Sequence, residues 1–186
     1  NATMLQHQPT PGNIAFITQS GALGAALLDY AENLGMGFSK IASLGNQMDI
    51  DASDLLGELR NDPYTKVIML YLETIGEGHR FLEQVSELTK SKPVVIVKSG
   101  RSSAGAAAAS SHTGSIAGSD AAVDALIDKA GAIRVETLEM AYLTAMCLSK
   151  SRTFTGNRVG AGTTAGGPGM LIPDRLAMHG FELPVM

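Results

Sequence analysis

The chain has 186 residues, 45% apolar and 17% charged, with a formal charge of −4 at pH 7; this excludes a disordered chain and allows one domain, or one and a fraction, with a sizeable core. The acidic balance, the lack of Trp and the total of only four Tyr and five Phe argue against a nucleic-acid surface. The single Cys147 excludes an internal disulfide framework and fits a reducing, cytoplasmic setting. No apolar run approaches the roughly 18 residues of a membrane span. The polar start, Asn1 to Pro11, has no signal-peptide core. The chain opens without an initiator Met, which points to a piece of a larger protein.

Short apolar runs alternate with longer amphipathic ones. Ile14 to Thr18 reads as a buried strand, and Gly21 to Leu34 as a helix with Leu23, Ala26, Leu27, Tyr30, Ala31 and Leu34 at helical spacing. Lys40 to Leu44 is the second strand and Asp51 to Leu59 the second helix. Lys66 to Leu72 (KVIMLYL) is the strongest strand signal, followed by a helix over Glu77 to Lys90 and a strand over Pro93 to Lys98. A helix over Asp120 to Lys129, a short strand over Ile133 to Val135 and a helix over Leu138 to Leu148 complete the series. Such alternation implies right-handed βαβ units and a parallel sheet covered on both faces. Residues 11–150 therefore predict a flavodoxin-like, doubly wound α/β domain with its first strand inside the sheet.

Two stretches break the pattern. Ser99 to Gly118 is almost entirely Gly, Ala and Ser, with a helical turn possible at Ala106 to Ala109; a connection of this length suggests function. After Lys150, Ser151 to Asn157 reads as a linker. Arg158 to Ala161 then reads as a strand start, Ala165 to Gly169 as a turn and Met170 to Met178 as a helix. Residues 151–186 are thus a linker and the truncated start of a second α/β domain.

Ligands of open α/β sheets bind beyond the carboxyl ends of the strands. Three groups fall there. Ser20, Gly21 and Ala22 open the first helix, whose amides and dipole suit a phosphate, although Ser20 reads equally as an ordinary N-cap. Glu73 follows KVIMLYL directly. A carboxylate there is able to orient an imidazole, or to be a solvated loop acid, and Glu77 in the same loop competes for the role. His112 lies in the small-residue connection, which leaves the sheet from the same end as Ser20 and Glu73. Gly45 and Asn46, after the second strand, face the same crevice or form a plain turn. Asp49, Asp51 and Asp54 fit an acidic cluster or a helix start. His7, His79 and His179 lack supporting context, Cys147 reads as packing, and no His or Cys pair has metal-ligand spacing, so no protein-bound metal is expected.

Several motifs occur in order: Gln19-Ser20-Gly21-Ala22-Leu23-Gly24, Ser43-Leu44-Gly45-Asn46 with Asp49-Ile50-Asp51, Tyr71-Leu72-Glu73, Lys98-Ser99-Gly100-Arg101 and Ser111-His112-Thr113-Gly114-Ser115. Together they resemble the NDP-forming acyl-CoA synthetases, especially the ADP-forming type, relatives of the succinyl-CoA synthetase alpha subunit. The resemblance covers residues 11–150. Thr164 to Gly169 resembles the opening of the family's next ligase domain, with Thr164 where Asn is more frequent.

The resemblance implies interconversion of acyl-CoA, phosphate and ADP with a free acid, CoA and ATP, through an acyl phosphate and a phosphohistidine. His112 matches the phosphorylated residue, Glu73 the acid that orients it, and Ser20 and Gly21 the phosphate-holding helix start. It also implies CoA and ADP/ATP with Mg²⁺ as substrates of the full enzyme, and no tightly bound cofactor in this piece. A CoA-binding Rossmann domain and an ATP-grasp domain or subunit would complete an oligomeric enzyme, with no nucleic-acid or membrane partner. Two other readings remain: the acyl-CoA-sensing region of a protein acetyltransferase, and a flavin electron carrier, against which the scarcity of aromatic residues argues.

Overall fold

A computed structural model of the chain describes residues 8–47, 49–107, 119–151 and 156–184. His112, the central residue of the sequence reading, lies outside them. Two compact units divide after Ser151.

The first unit alternates strand and helix as the periodicity predicts: β1 (Pro11–Thr18), α1 (Gly21–Asn33), β2 (Phe38–Ser43), α2 (Ala52–Leu59), β3 (Val67–Leu72), α3 (Gly78–Thr89), β4 (Val94–Lys98), α4 (Asp120–Lys129), β5 (Ile133–Val135) and α5 (Leu138–Lys150). Among the described residues one parallel five-stranded sheet forms, in the order β2-β1-β3-β4-β5. This is the flavodoxin-like order, with β1 inside the sheet and the winding direction reversing between β1 and β3.

Side chains alternate across the strands, so each strand feeds two cores. Ala15, Ile17, Ile68, Leu70, Val94 and Ile96 meet Leu56, Phe81, Val85, Leu88 and Ile127 of α2, α3 and α4. Ile14, Phe16, Val67, Met69, Val95 and Val97 meet Leu27 and Ala31 of α1 and Tyr142 and Ala145 of α5. Every residue of β4 is buried, Lys98 included.

Several boundaries depart from the sequence expectation for local reasons. β1 begins at Pro11, earlier than the expected Ile14, because Pro11 pairs with Phe38. A Cβ on Gly12 would come within 2.3 Å of the Gly37 carbonyl carbon, so both strand starts need glycine to approach this closely. Asp51 and Glu77 are N-caps rather than helical residues. Asp51 and Asp54 form a reciprocal capping box, and Arg80 pairs with both carboxylates. Cys147, read as packing, is exposed, with its Sγ 3.7 Å from Ser151 Oγ. In the Ser99–Gly118 connection, residues 103–107 are helical, slightly earlier than the sequence suggests.

At the opposite, amino end of the sheet Asp62 is buried. Its carboxylate accepts hydrogen bonds from Lys40 Nζ at 2.7 Å and Thr65 Oγ1 at 2.5 Å. The Lys40 bond first, then that from Thr65, holds its pKa at about 2. A carboxylate depressed on folding contributes stability that is complete above its unfolded pKa and disappears as pH falls through its folded one. We therefore expect Asp62→Asn to lower the Tm at neutral pH, and the gap to the parent to close between about pH 4 and about pH 2. Thermal melts across that range test this; a pH-independent gap would refute it.

The second unit has α6 (Gly166–Met178) and an isolated parallel bridge between Arg158 and Glu182. The expected turn at 165–169 is instead the cap and first turn of α6. The first helical amides need no intrahelical acceptor, so Pro168 is accommodated there.

Candidate functional site

The carboxyl ends of β1 and β3 lie side by side at the point where the winding reverses. Thr18 pairs with Tyr71, and Gln19 N–H donates to the Tyr71 carbonyl at 3.1 Å. Beyond that pair the chains separate into the β1–α1 turn, with Ser20, Gly21 and Ala22, and the β3–α3 loop, with Glu73.

Ser20 is extended and caps α1, its Oγ accepting Leu23 N–H at 3.3 Å. Thr18 Oγ1 accepts Ser20 N–H and donates to the Ser20 carbonyl, both at 3.0 Å. Gly24 N–H donates to the Ser20 carbonyl at 2.9 Å. These bonds account for the amides of Ser20, Leu23 and Gly24. Those of Gly21 and Ala22 have no acceptor among the described residues, and both residues are exposed at the positive end of the helix dipole. Gly21 has no left-handed φ, and a Cβ there would meet only Ser43 Oγ, at an ordinary 3.6 Å. Neither backbone nor packing demands glycine at this position.

Glu73 is buried, 9% exposed. Its main chain is held by a residue to which the sequence reading gave no separate role. Gln19, itself 6% exposed, accepts N–H bonds at Oε1 from Glu73 (2.6 Å) and Thr74 (2.9 Å), and donates from Nε2 to the Thr74 carbonyl (2.8 Å). Glu77, the competing acid, is exposed at the N-cap of α3 and makes no side-chain cap bond.

Lys98 opens one of the motifs quoted above, but its burial is not read from the sequence, in which it simply closes an apolar strand. It is 8% exposed, its Nζ donating to the Ser99 carbonyl at 2.6 Å. Burial pushes its pKa below the usual lysine range; Arg134 acts in the same direction, and Asp120 and Glu73 oppose it. Arg134 pairs with Asp120 and Asp124, and Arg101 with Asp120 at 3.4 Å and Glu136 at 3.3 Å. A charged cluster thus ties the departure from β4 to the start of α4.

Gly45 and Asn46 form an exposed turn at the carboxyl end of β2, Gly45 with φ +54°. Gln47 also adopts a left-handed φ of +52°, and its Oε1 accepts the Ala52 N–H at 3.1 Å, which fastens the loop to α2. Ser20, Gly21, Ala22, Gly45, Asn46 and Glu73 therefore share one end of the sheet, and Gln19 joins the Ser20 and Glu73 segments directly. Among the described residues no group of three or more His, Cys, Asp or Glu is arranged to hold a metal ion. No helix among them is long and apolar enough to cross a membrane.

Residues 11–148 match the family described as the succinyl-CoA ligase like flavodoxin domain. The chain belongs to this family. It is 40% identical over 183 residues to a Pyrococcus furiosus protein named acetate–CoA ligase (ADP-forming) I subunit alpha, covering 98% of this chain and 40% of that protein. It is 43% identical over 176 residues to a Nitrosopumilus maritimus protein named 4-hydroxybutyrate–CoA ligase (ADP-forming), covering 94% of this chain and 25% of the other. The solved structure of Ca. Korarchaeum cryptofilum dinucleotide forming acetyl-coenzyme A synthetase 1 in complex with phosphate and ADP matches with a TM-score of 0.92 at 40% identity, covering 98% of this chain and 40% of that one. This succinyl-CoA ligase like domain thus spans two-fifths or less of the length of these relatives. Their names give the acetyltransferase reading no support.

Proposed function

We propose that this chain is the phosphohistidine-bearing ligase domain of an ADP-forming acyl-CoA synthetase. The observation that carries the proposal is the pair of unsatisfied amides at Gly21 and Ala22, joined through Gln19 to the segment holding Glu73. A phosphate oxygen is a natural acceptor for such amides. The absence of any steric need for glycine at Gly21 fits close approach of a ligand to the backbone.

In the proposed reaction, phosphate attacks the acyl-CoA thioester carbonyl, the C–S bond breaks, and acyl phosphate and CoA result. An imidazole nitrogen of His112 then attacks phosphorus; a P–N bond forms as the bond to the acyl oxygen breaks, releasing the carboxylate. ADP, with Mg²⁺, finally takes the phosphoryl group to give ATP. The α1 amides neutralise phosphate charge, and Glu73 fixes the ring's tautomer and balances its developing positive charge. Gly45 and Asn46 contribute to the substrate crevice from β2.

Residues 151–186 are, on this reading, a linker and the start of the next ligase domain. A CoA-binding Rossmann domain and an ATP-grasp domain or subunit complete the cytoplasmic, oligomeric enzyme. Incubating the full-length protein with γ-labelled ATP and Mg²⁺ tests the proposal. An acid-labile, alkali-stable label should map to His112, and label confined to another residue would refute it.

Two variants probe the helix start. Ser20→Ala should cost about 1 kcal/mol of stability through the lost cap, with only a modest rise in KM for phosphate because the backbone amides remain. A turnover loss as large as that caused by removing His112 would contradict this. Gly21→Ala should fold at least as stably, since alanine gains up to about 1 kcal/mol over glycine in a helix. Its methyl group should nonetheless raise KM for phosphate, and an unchanged KM would remove the backbone-approach argument.

A further inference from the structure

We infer that Gln19 is a positioning residue that sets the aim of the Glu73 side chain; this rests on the assignment of Glu73 above. At the point where a doubly wound sheet reverses, the loops after β1 and β3 depart toward opposite faces and lose the mutual packing of neighbouring crossovers. Gln19 spans that divide. Its amide oxygen takes two consecutive main-chain N–H groups, its amide nitrogen reaches the carbonyl of the second residue, and its own backbone N–H holds Tyr71. The three side-chain bonds engage three successive peptide units, 72–73, 73–74 and 74–75; the first two flank the Glu73 Cα, and holding both sets the direction in which the Glu73 side chain leaves the backbone. Gln19 also directly precedes Ser20. The segment bearing the unsatisfied amides and the segment bearing the carboxylate are therefore registered through one side chain.

The chemistry is demanding. The site needs an acceptor facing two donors and a donor facing an acceptor, at the reach of a two-methylene stem. Asparagine is one methylene short. Ionised glutamate keeps the acceptor, lacks the donor, and adds a negative charge near Glu73. Methionine has similar volume and forms none of the bonds.

The test uses the full-length enzyme with Gln19→Met, Glu73→Gln, the double variant and Gln19→Glu. The Gln19→Met variant should lower kcat about 10-fold or more, with little change in KM for phosphate, as for a group acting through a misaimed partner. In the Glu73→Gln background the same substitution should change kcat by less than about 2-fold, since nothing remains to be aimed. If the Gln19→Met variant does not fold, Gln19→Glu decides. Its kcat relative to the parent should rise as pH falls from about 6 towards about 4, through the ordinary glutamate range, because protonation restores a donor to the Thr74 carbonyl and removes the charge. Parent-like kcat in Gln19→Met, a full further loss in the double variant, or a flat Gln19→Glu ratio overturns the Gln19 assignment while leaving that of Glu73 intact. Parent-like kcat in Glu73→Gln overturns both.

Discussion

Full-length enzyme carrying His112→Ala should lose ATP formation by at least about 10³-fold while still releasing CoA from acyl-CoA and phosphate. The asymmetry follows from the proposed chemistry. Attack of phosphate on the thioester needs the phosphate site and the acyl site, neither of which uses the imidazole. Transfer of the phosphoryl group out of the acyl phosphate needs it absolutely. The variant should therefore accumulate acyl phosphate, which hydroxylamine traps as a hydroxamate. ATP synthesis at parental rates in His112→Ala would end the phosphohistidine proposal. Loss of CoA release together with ATP formation would instead show that the residue acts in the first step.

The second large effect belongs to Glu73→Gln, for which we expect phosphorylation of His112 to slow by about 10²-fold, read by rapid quench after mixing with labelled ATP. The amide keeps the size of the carboxylate and an acceptor oxygen but carries no charge, so an imidazole gaining positive character loses its counter-ion. The main chain of Glu73 is held by the Gln19 side chain, which the substitution leaves in place. The fold should accordingly tolerate the change, with a stability loss within about 2 kcal/mol. A phosphorylation rate equal to the parent's would remove Glu73 from the mechanism.

Much of the architecture is legible in the amino-acid order because the relevant physics is local. VIMLYL and VVIV are continuous, largely β-branched or aromatic apolar runs of strand length, as strands buried on both faces require. The ends of elements are less legible because they answer to partners remote in sequence. Pro11 joins β1 only because Phe38 lies beside it, and Gly166 to Gly169 form a helical turn although each residue taken singly suggests a bend. The candidate site divides the same way. Ser20, Gly21 and Glu73 are placed by the rule that ligands gather at strand ends. Gln19 is not, because its bonds cross 54 and 55 positions and a polar residue after a strand has no periodic signature. The burial of Lys98 is hidden for a related reason: it depends on tertiary packing, and charge at a strand terminus ordinarily signals solvent.

The ion pair between Arg101 and Asp120 joins the two roots of the stretch between them at 3.4 Å. Once the roots are pinned, the free energy of closing such a connection depends only logarithmically on the number of intervening residues, about 0.6 kcal/mol for each doubling. Insertions and deletions there are therefore expected to cost the sheet little. On the proposed reading, the number of residues between Arg101 and Asp120 is thus a dimension open to change without redesign of the scaffold.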